Sequence, residues 1–224
     1  MSHDKMILKH PLSVRMFHYF LILSFLPLAV TGVLLYFKPL SDAAMHLTMQ
    51  IHAAAGVVLT IACLSFFFLA YDRVILFIRR VFSFSIADLK WFAVLGGYPQ
   101  KLILRKKVTV PPMGKYNSGQ KLFGIFVLIG GSLLILSGWI LWGFPHAMPR
   151  GFVALMGDVH LIAGIVLTLF LCVHLFLGVY MFDDFKAMIL HGKIPYKEAK
   201  EMAPLWVENE IIPISKNQCV NNQC

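Results

Sequence analysis

Four stretches of about 20 residues, each without a single Asp, Glu, Lys or Arg, constrain this chain more than any other feature. They run over residues 17–37, 51–71, 122–142 and 159–182. A helix of that length crosses the hydrocarbon core of a bilayer. In water these helices would be apolar all round, which suits lipid rather than a globular core. Hydrophobic residues make up 58% of the 224-residue chain and charged ones 14%, against about 45–50% and about 25% in ordinary globular proteins. Disorder, a collagen-like fibre and a water-soluble enzyme are thereby excluded. The first stretch is too long for a signal-peptide core, and no small-residue cleavage site follows it. Pro27 lies inside it and is expected to bend the helix without ending it, because neighbouring helices can accommodate the freed carbonyl.

The net charge of +9 would suggest nucleic acid if the basic residues were spread out. They are not. The arm before the first span, the segment from residue 71 to 121 and the tail hold 18 of the 20 Lys and Arg side chains. The two remaining connections hold only Lys38 and Arg150. With four spans, those three basic segments share one side, and the positive-inside rule assigns it to the cytoplasm, with both termini. The fold expected is therefore an all-α integral membrane protein, a four-transmembrane-helix bundle over residues 1–205, in the bacterial cytoplasmic (inner) membrane. Residues 74–84, with Arg79 and Arg80 at their centre, are too costly to bury in lipid and read as an interfacial helix. Residues 87–94 read the same way. No repeat of 20–50 residues is evident. The tail is expected to hold one short helix over residues 195–202 and to be flexible from residue 206 onward. Its Cys219 and Cys224 lack the further pair or histidine that a metal site needs. Cys63 and Cys172 lie in apolar runs, so the four cysteines form no disulfide framework.

Nine histidines are present, and five of them fall in polar connections or the tail. The other four, His18, His52, His160 and His174, fall in or at the edge of the spans. Ionisable groups there are rare and usually face a bundle interior, a cofactor or an ion path. Any one of them alone is as well explained by an interhelical hydrogen bond. Their depths decide otherwise. The first span runs outward, so His18 is near the inner face. The second and fourth start outside, so His52 and His160 are near the outer face. His174 follows His160 by 14 residues, a displacement of roughly 21 Å and close to four whole turns. The two therefore share one helix face at two depths. His52 pairs with His160, and His18 with His174.

Two facing pairs of neutral imidazoles match bis-histidine ligation of two haems. Zinc would draw four ligands to one point, and a proton relay would want a membrane carboxylate, which the spans lack. Three of the histidines precede a glycine by four residues, at Gly56, Gly164 and Gly178. Residues i and i+4 share a helix face, so each glycine leaves room beside an imidazole for a porphyrin edge or, equally, for close helix packing. Gly32 and Gly138, in Thr31-Gly32 and Ser137-Gly138, make similar room on the other two spans. Two haems at these depths would form an electron wire, and the chain shows no catalytic nucleophile or acid–base pair of its own.

These residues, with Arg15-x-x-His18 and the run Gly114-Lys-Tyr-Asn-Ser-Gly-Gln-Lys121 before the third span, resemble the cytochrome b (gamma) subunit of membrane-bound respiratory formate dehydrogenases over about residues 5–205. The eight-residue run is the most specific part. The resemblance implies two haem b groups, the outer on His52 and His160 and the inner on His18 and His174. It also implies a quinone site, for menaquinone, on Asn117, Gly119 and Gln120 beside the inner haem. Arg15 is suited to pair with a haem propionate or, equally, to snorkel to the interface. The implied partners are an iron–sulfur subunit and, through it, a molybdenum- or tungsten-containing catalytic subunit. The chain would then pass electrons to quinone without itself oxidising formate. Asn117 and Gly119 are also explained as a helix cap and a turn residue. The tail after Ala203 and the loop over residues 83–110 lie outside the resemblance. The cytochrome b of a membrane-bound nickel–iron hydrogenase looks similar in helices and histidines. A haem-free membrane anchor or small transporter is the alternative of another class, and it would show no visible-region absorbance.

Overall fold

A computed structural model describes residues 5–106 and 108–213. Four helices in it are long and apolar enough to cross a membrane: α1 (Leu12–Phe37), α2 (Asp42–Leu69), α6 (Ser118–Gly143) and α7 (Arg150–Tyr180), with mean hydropathies of 2.1–2.5. Only 11–17% of each apolar stretch is buried, so most of the apolar side chains point outward, as lipid-facing helices require.

All four helices are longer than the uncharged stretches that announce them, chiefly at their N-termini. α2 begins nine residues before residue 51 and α7 nine before residue 159. Charge is disfavoured only in hydrocarbon, so Asp42, His46 and Arg150 sit in helical turns that extend past the apolar segment. His52 and His160 are consequently each the eleventh residue of their helix, roughly 15 Å from its start. α1 runs through Pro27 unbroken.

The chain divides into two compact units. One comprises residues 10–75 and 126–190 and is the helical bundle. Phe17 of α1 stacks on Phe66 of α2 at 4.2 Å, and Phe126 of α6 on Phe170 of α7 at 4.4 Å. The Trp139 indole N–H of α6 donates to Thr60 Oγ1 of α2 at 3.1 Å. Gly130 lets α6 approach Leu167, which would lie 3.2 Å from a Cβ placed there. Buried positions are few and mostly small: Ser24, Thr31, Ala55, Ala62, Ser137 and Ala163, with Leu59 and Leu167.

The other unit comprises residues 76–125, the N-terminal residues to Lys9 and the chain from His191. β1 (Met6–Leu8) pairs antiparallel with β2 (Lys193–Pro195), Ile7 opposite Ile194. Helices are present near the two short amphipathic stretches read from sequence, α3 as Tyr71–Val81 and α4 as Ile86–Ala93. A short α5 follows at Tyr98–Leu102. Helical structure also continues beyond the expected end of order. After Tyr196–Met202 come Pro204–Trp206 and a π-helical turn at Val207–Ile211. The reason is apolar: Trp206 and Val207 are buried, and Lys115 lies 5.3 Å over the Trp206 ring. Cys219 and Cys224 lie outside the described residues.

A buried ion pair joins α4 to the start of α6. Lys121 Nζ donates to Asp88 Oδ1 at 2.9 Å and Oδ2 at 3.1 Å, and to the Ser83 carbonyl at 2.6 Å. Asp88 also accepts from the Ser118 hydroxyl and from the backbone N–H and hydroxyl of Ser85. Burial opposes ionisation of Asp88, but the bonds from Lys121, Ser118 and Ser85 outweigh it and hold the carboxyl below its ordinary value. The stabilisation this provides is therefore present above about pH 4 and lost as the pH falls through the lower folded value. Asp88→Ala strands a buried ammonium and is expected to cost about 3–5 kcal/mol, whereas Asp88→Leu with Lys121→Met recovers most of it. Thermal unfolding of the detergent-solubilised variants checks both.

Candidate functional site

Within the bundle the four histidines meet as two pairs. His52 and His160 have ring centroids 6.1 Å apart, and His18 and His174 6.2 Å apart. Two rings joined head to head by an N–H···N bond would sit closer, at about 5.2 Å for an ordinary bond length. Two imidazoles on opposite sides of one ion, with metal–nitrogen bonds of about 2.0–2.1 Å, have centroids about 6.3 Å apart. Both observed separations match the second arrangement. The pairs are displaced along α7 by the 14 residues between His160 and His174, roughly 21 Å. Among the described residues no group of three or more His, Cys, Asp or Glu side chains converges to hold a single metal ion.

The surroundings of the rings also fit a flat macrocycle. A Cβ built at Gly56 or Gly178 meets nothing within 4 Å, and at Gly164 it meets only Leu134, at 3.9 Å. At Gly32 a Cβ would lie 3.6 Å from His52 Cε1, and at Gly138 3.3 Å from His160 Cε1. The glycines after the histidines thus border open space, while the two on α1 and α6 let those helices lie close against the His52 and His160 imidazoles. His18 Nδ1 is buried without a hydrogen-bond partner, an orphaned polar atom of the kind an additional bound group explains. The donor set and the space fit haem, which His52 with His160 and His18 with His174 would hold.

Sequence reasoning saw Thr31-Gly32 and Ser137-Gly138 only as room. The structure adds their hydroxyls. Thr31 Oγ1 lies 2.8 Å from His52 Nδ1, and Ser137 Oγ 2.9 Å from His160 Nδ1. A hydroxyl beside each glycine, on the span adjoining a ligand helix, was the available signal. Arg15 is bonded to main-chain carbonyls of the segment after α7. Its Nε donates to the Met188 carbonyl at 3.2 Å and its Nη2 to the Leu190 carbonyl, while the neighbouring Tyr19 hydroxyl donates to the Ile189 carbonyl. The two side chains cap the π-helical turn Ala187–His191 that follows α7.

In the other unit, Asn117, Gly119 and Gln120 open α6. Asn117 Oδ1 accepts from the Gln120 backbone N–H at 2.9 Å, and Gln120 Oε1 from that of Asn117 at 3.0 Å. This reciprocal pair is a capping box, so the helix-cap explanation holds at Asn117. Because both backbone partners are donors, the two amide oxygens must face them. The two NH2 groups are then left pointing away. Gly119 lies against Trp91, whose Cη2 would stand 2.8 Å from a Cβ there. The indole therefore fills the space directly above Gly119. Tyr116 is half-buried edge-on to Phe77 at 5.7 Å, and its partial burial raises the phenol above the ordinary value against the opposing charge of Arg80.

A family model described as prokaryotic cytochrome b561 matches residues 9–190. The chain is 26% identical to the nitrate-inducible formate dehydrogenase cytochrome b556 subunit of Escherichia coli K12, over 92% of both chains. It is 22% identical to the formate dehydrogenase cytochrome b556 subunit of Haemophilus influenzae, over 99% of this chain and 91% of that one.

The contact at position 119 makes its own demand. Gly119→Ala forces the Trp91 ring to move and is expected to lower stability by about 1–3 kcal/mol. Adding Trp91→Phe restores most of it if packing against the indole is why glycine stands there, as unfolding of the single and double variants reports.

Proposed function

The chain belongs to the prokaryotic cytochrome b561 family, and on that premise we propose that it is the dihaem membrane subunit of a respiratory formate dehydrogenase-like complex, delivering electrons from an iron–sulfur subunit to a quinone. As a family member it is a multi-pass membrane protein that binds haem b. The observation that carries the finer reading is the pair of imidazole separations, 6.1 and 6.2 Å at two levels of one bundle. Each bound haem supplies a one-electron carrier whose potential its axial ligands help to set. His52 and His160 hold the outer site, His18 and His174 the inner. The segregation of basic residues supports both termini being cytoplasmic and the inner membrane as location. The full-length similarity to two formate dehydrogenase subunits supports formate oxidation by a separate molybdenum- or tungsten-containing subunit as the electron source.

Quinone reduction takes up two electrons and two protons. The groups suited to the head group are the Asn117 and Gln120 amides, whose oxygens are occupied in the capping box and whose NH2 groups can donate to a quinone carbonyl. Gly119 contributes by seating the Trp91 indole against the start of α6. Menaquinone is the quinone implied by the resemblance.

Purified full-length protein is expected to show a low-spin spectrum with two b haems per chain. His52→Ala and His174→Ala should each remove one, and not the same one, in a redox titration of the visible bands; either variant retaining both would show the ligand assignment to be wrong. Asn117→Asp and Gln120→Glu keep the capping oxygens and lose the NH2 donors. Each is expected to slow reoxidation of the dithionite-reduced haems by a water-soluble menaquinone analogue by about tenfold, the factor for a loss of 1.4 kcal/mol, with helix content and haem number unchanged. Unaltered kinetics would reduce the motif to a helix cap.

A further inference from the structure

Thr31 and Ser137 are more than spacers, and we infer that they are matched positioning residues that fix the tautomer of the two outer imidazoles and strengthen them as iron ligands. This rests on the assignment of His52 and His160 as ligands of one haem.

A hydroxyl has one proton to give. Thr31 Oγ1 lies 2.6 Å from the Pro27 carbonyl and 3.3 Å from that of Leu28. Ser137 Oγ lies 2.6 Å from the Leu133 carbonyl and 3.4 Å from that of Leu134. Carbonyls only accept, so each hydroxyl proton is committed to its own helix backbone. Toward the histidine each oxygen then offers only a lone pair. The bonds at 2.8 and 2.9 Å therefore need the hydrogen on Nδ1 of His52 and of His160. That leaves Nε2 of each ring with its lone pair, the atom that ligates metal.

The two sides are copies. Thr31 and Gly32 precede Ser137 and Gly138 by 106 positions, as Pro27 precedes Leu133; His52 and Gly56 precede His160 and Gly164 by 108. Each hydroxyl stands on one helix of a hairpin and each histidine on the other, α1 with α2 and α6 with α7. The inner pair does not follow this rule: 106 positions from His18 stands Gly124, and 108 before His174 stands Phe66. His18 Nδ1 has no hydrogen-bond partner among the described residues. The Thr31 and Ser137 hydroxyls thus serve the outer pair.

An imidazole that donates its Nδ1–H is a more basic ligand, and a more basic axial ligand favours ferric over ferrous iron. Removing the acceptors should shift the outer haem toward the reduced form. Thr31→Val with Ser137→Ala is expected to do so by about tenfold, about 59 mV upward for a one-electron couple, with the inner haem unmoved. Each single variant should give part of the shift, and Thr31→Ser, which keeps the hydroxyl, should titrate as the parent. Optical redox titration of the full-length holoprotein reads all of these, with His52→Ala identifying the outer bands. Loss of the outer haem in Thr31→Val but not in Thr31→Ser would equally support the assignment, because only the hydroxyl differs in function. Unmoved potentials, a shift in the inner haem, or the same shift in Thr31→Ser would overturn it. If His52→Ala instead leaves both haems in place, the ligand assignment itself has failed, and this inference with it.

Discussion

A neutral imidazole has one hydrogen to give and one lone pair, and in hydrocarbon neither can be left to solvent. At His52 and His160 the bundle meets that requirement with a hydroxyl from a neighbouring helix. His52 and His160 each have Nδ1 bonded to a hydroxyl whose own hydrogen is settled on a carbonyl one turn away. Their ring centroids are 6.1 Å apart, farther than a head-to-head N–H···N bond allows and close to the separation of two ligands of one ion. His18 and His174 stand 6.2 Å apart, but His18 Nδ1 has no hydrogen-bond partner among the described residues.

That difference traces to how the bundle is made. Two hairpins, α1 with α2 and α6 with α7, bring equivalent half-sites together at His52 and His160. Each contributes a hydroxyl, an adjoining glycine, a histidine and a glycine one turn later. His18 and His174 come from inequivalent positions, so nothing obliges their surroundings to be symmetric. A pair of sites made alike and unlike in this way can hold the same cofactor with different ligand strengths.

Much of the fold could be read from residues alone, because the bilayer leaves so few choices. The four spans, the interfacial helices and the pairing of His52 with His160 and His18 with His174 all followed from apolar length and helical rise. Helix starts did not, since Asp42 and Arg150 are tolerated in turns beyond the apolar segment. Order past residue 205 was missed because Trp206 and Val207 find their burial through tertiary packing, which local polarity does not show. The half-site recurrence lies at a spacing of 106–108 positions, well outside the 20–50 residues at which repeats are usually sought. Over residues 114–121 sequence offered a helix cap alongside a ligand site; Asn117 and Gln120 do form the cap.

Arg15 and Tyr19 flank His18 on α1, and both are fastened to peptide carbonyls just beyond the end of α7. The two helices that carry His18 and His174 are therefore stitched together at a single end, close to one of the rings. Opening the gap between those rings like a hinge at that end would break these side-chain bonds to the main chain.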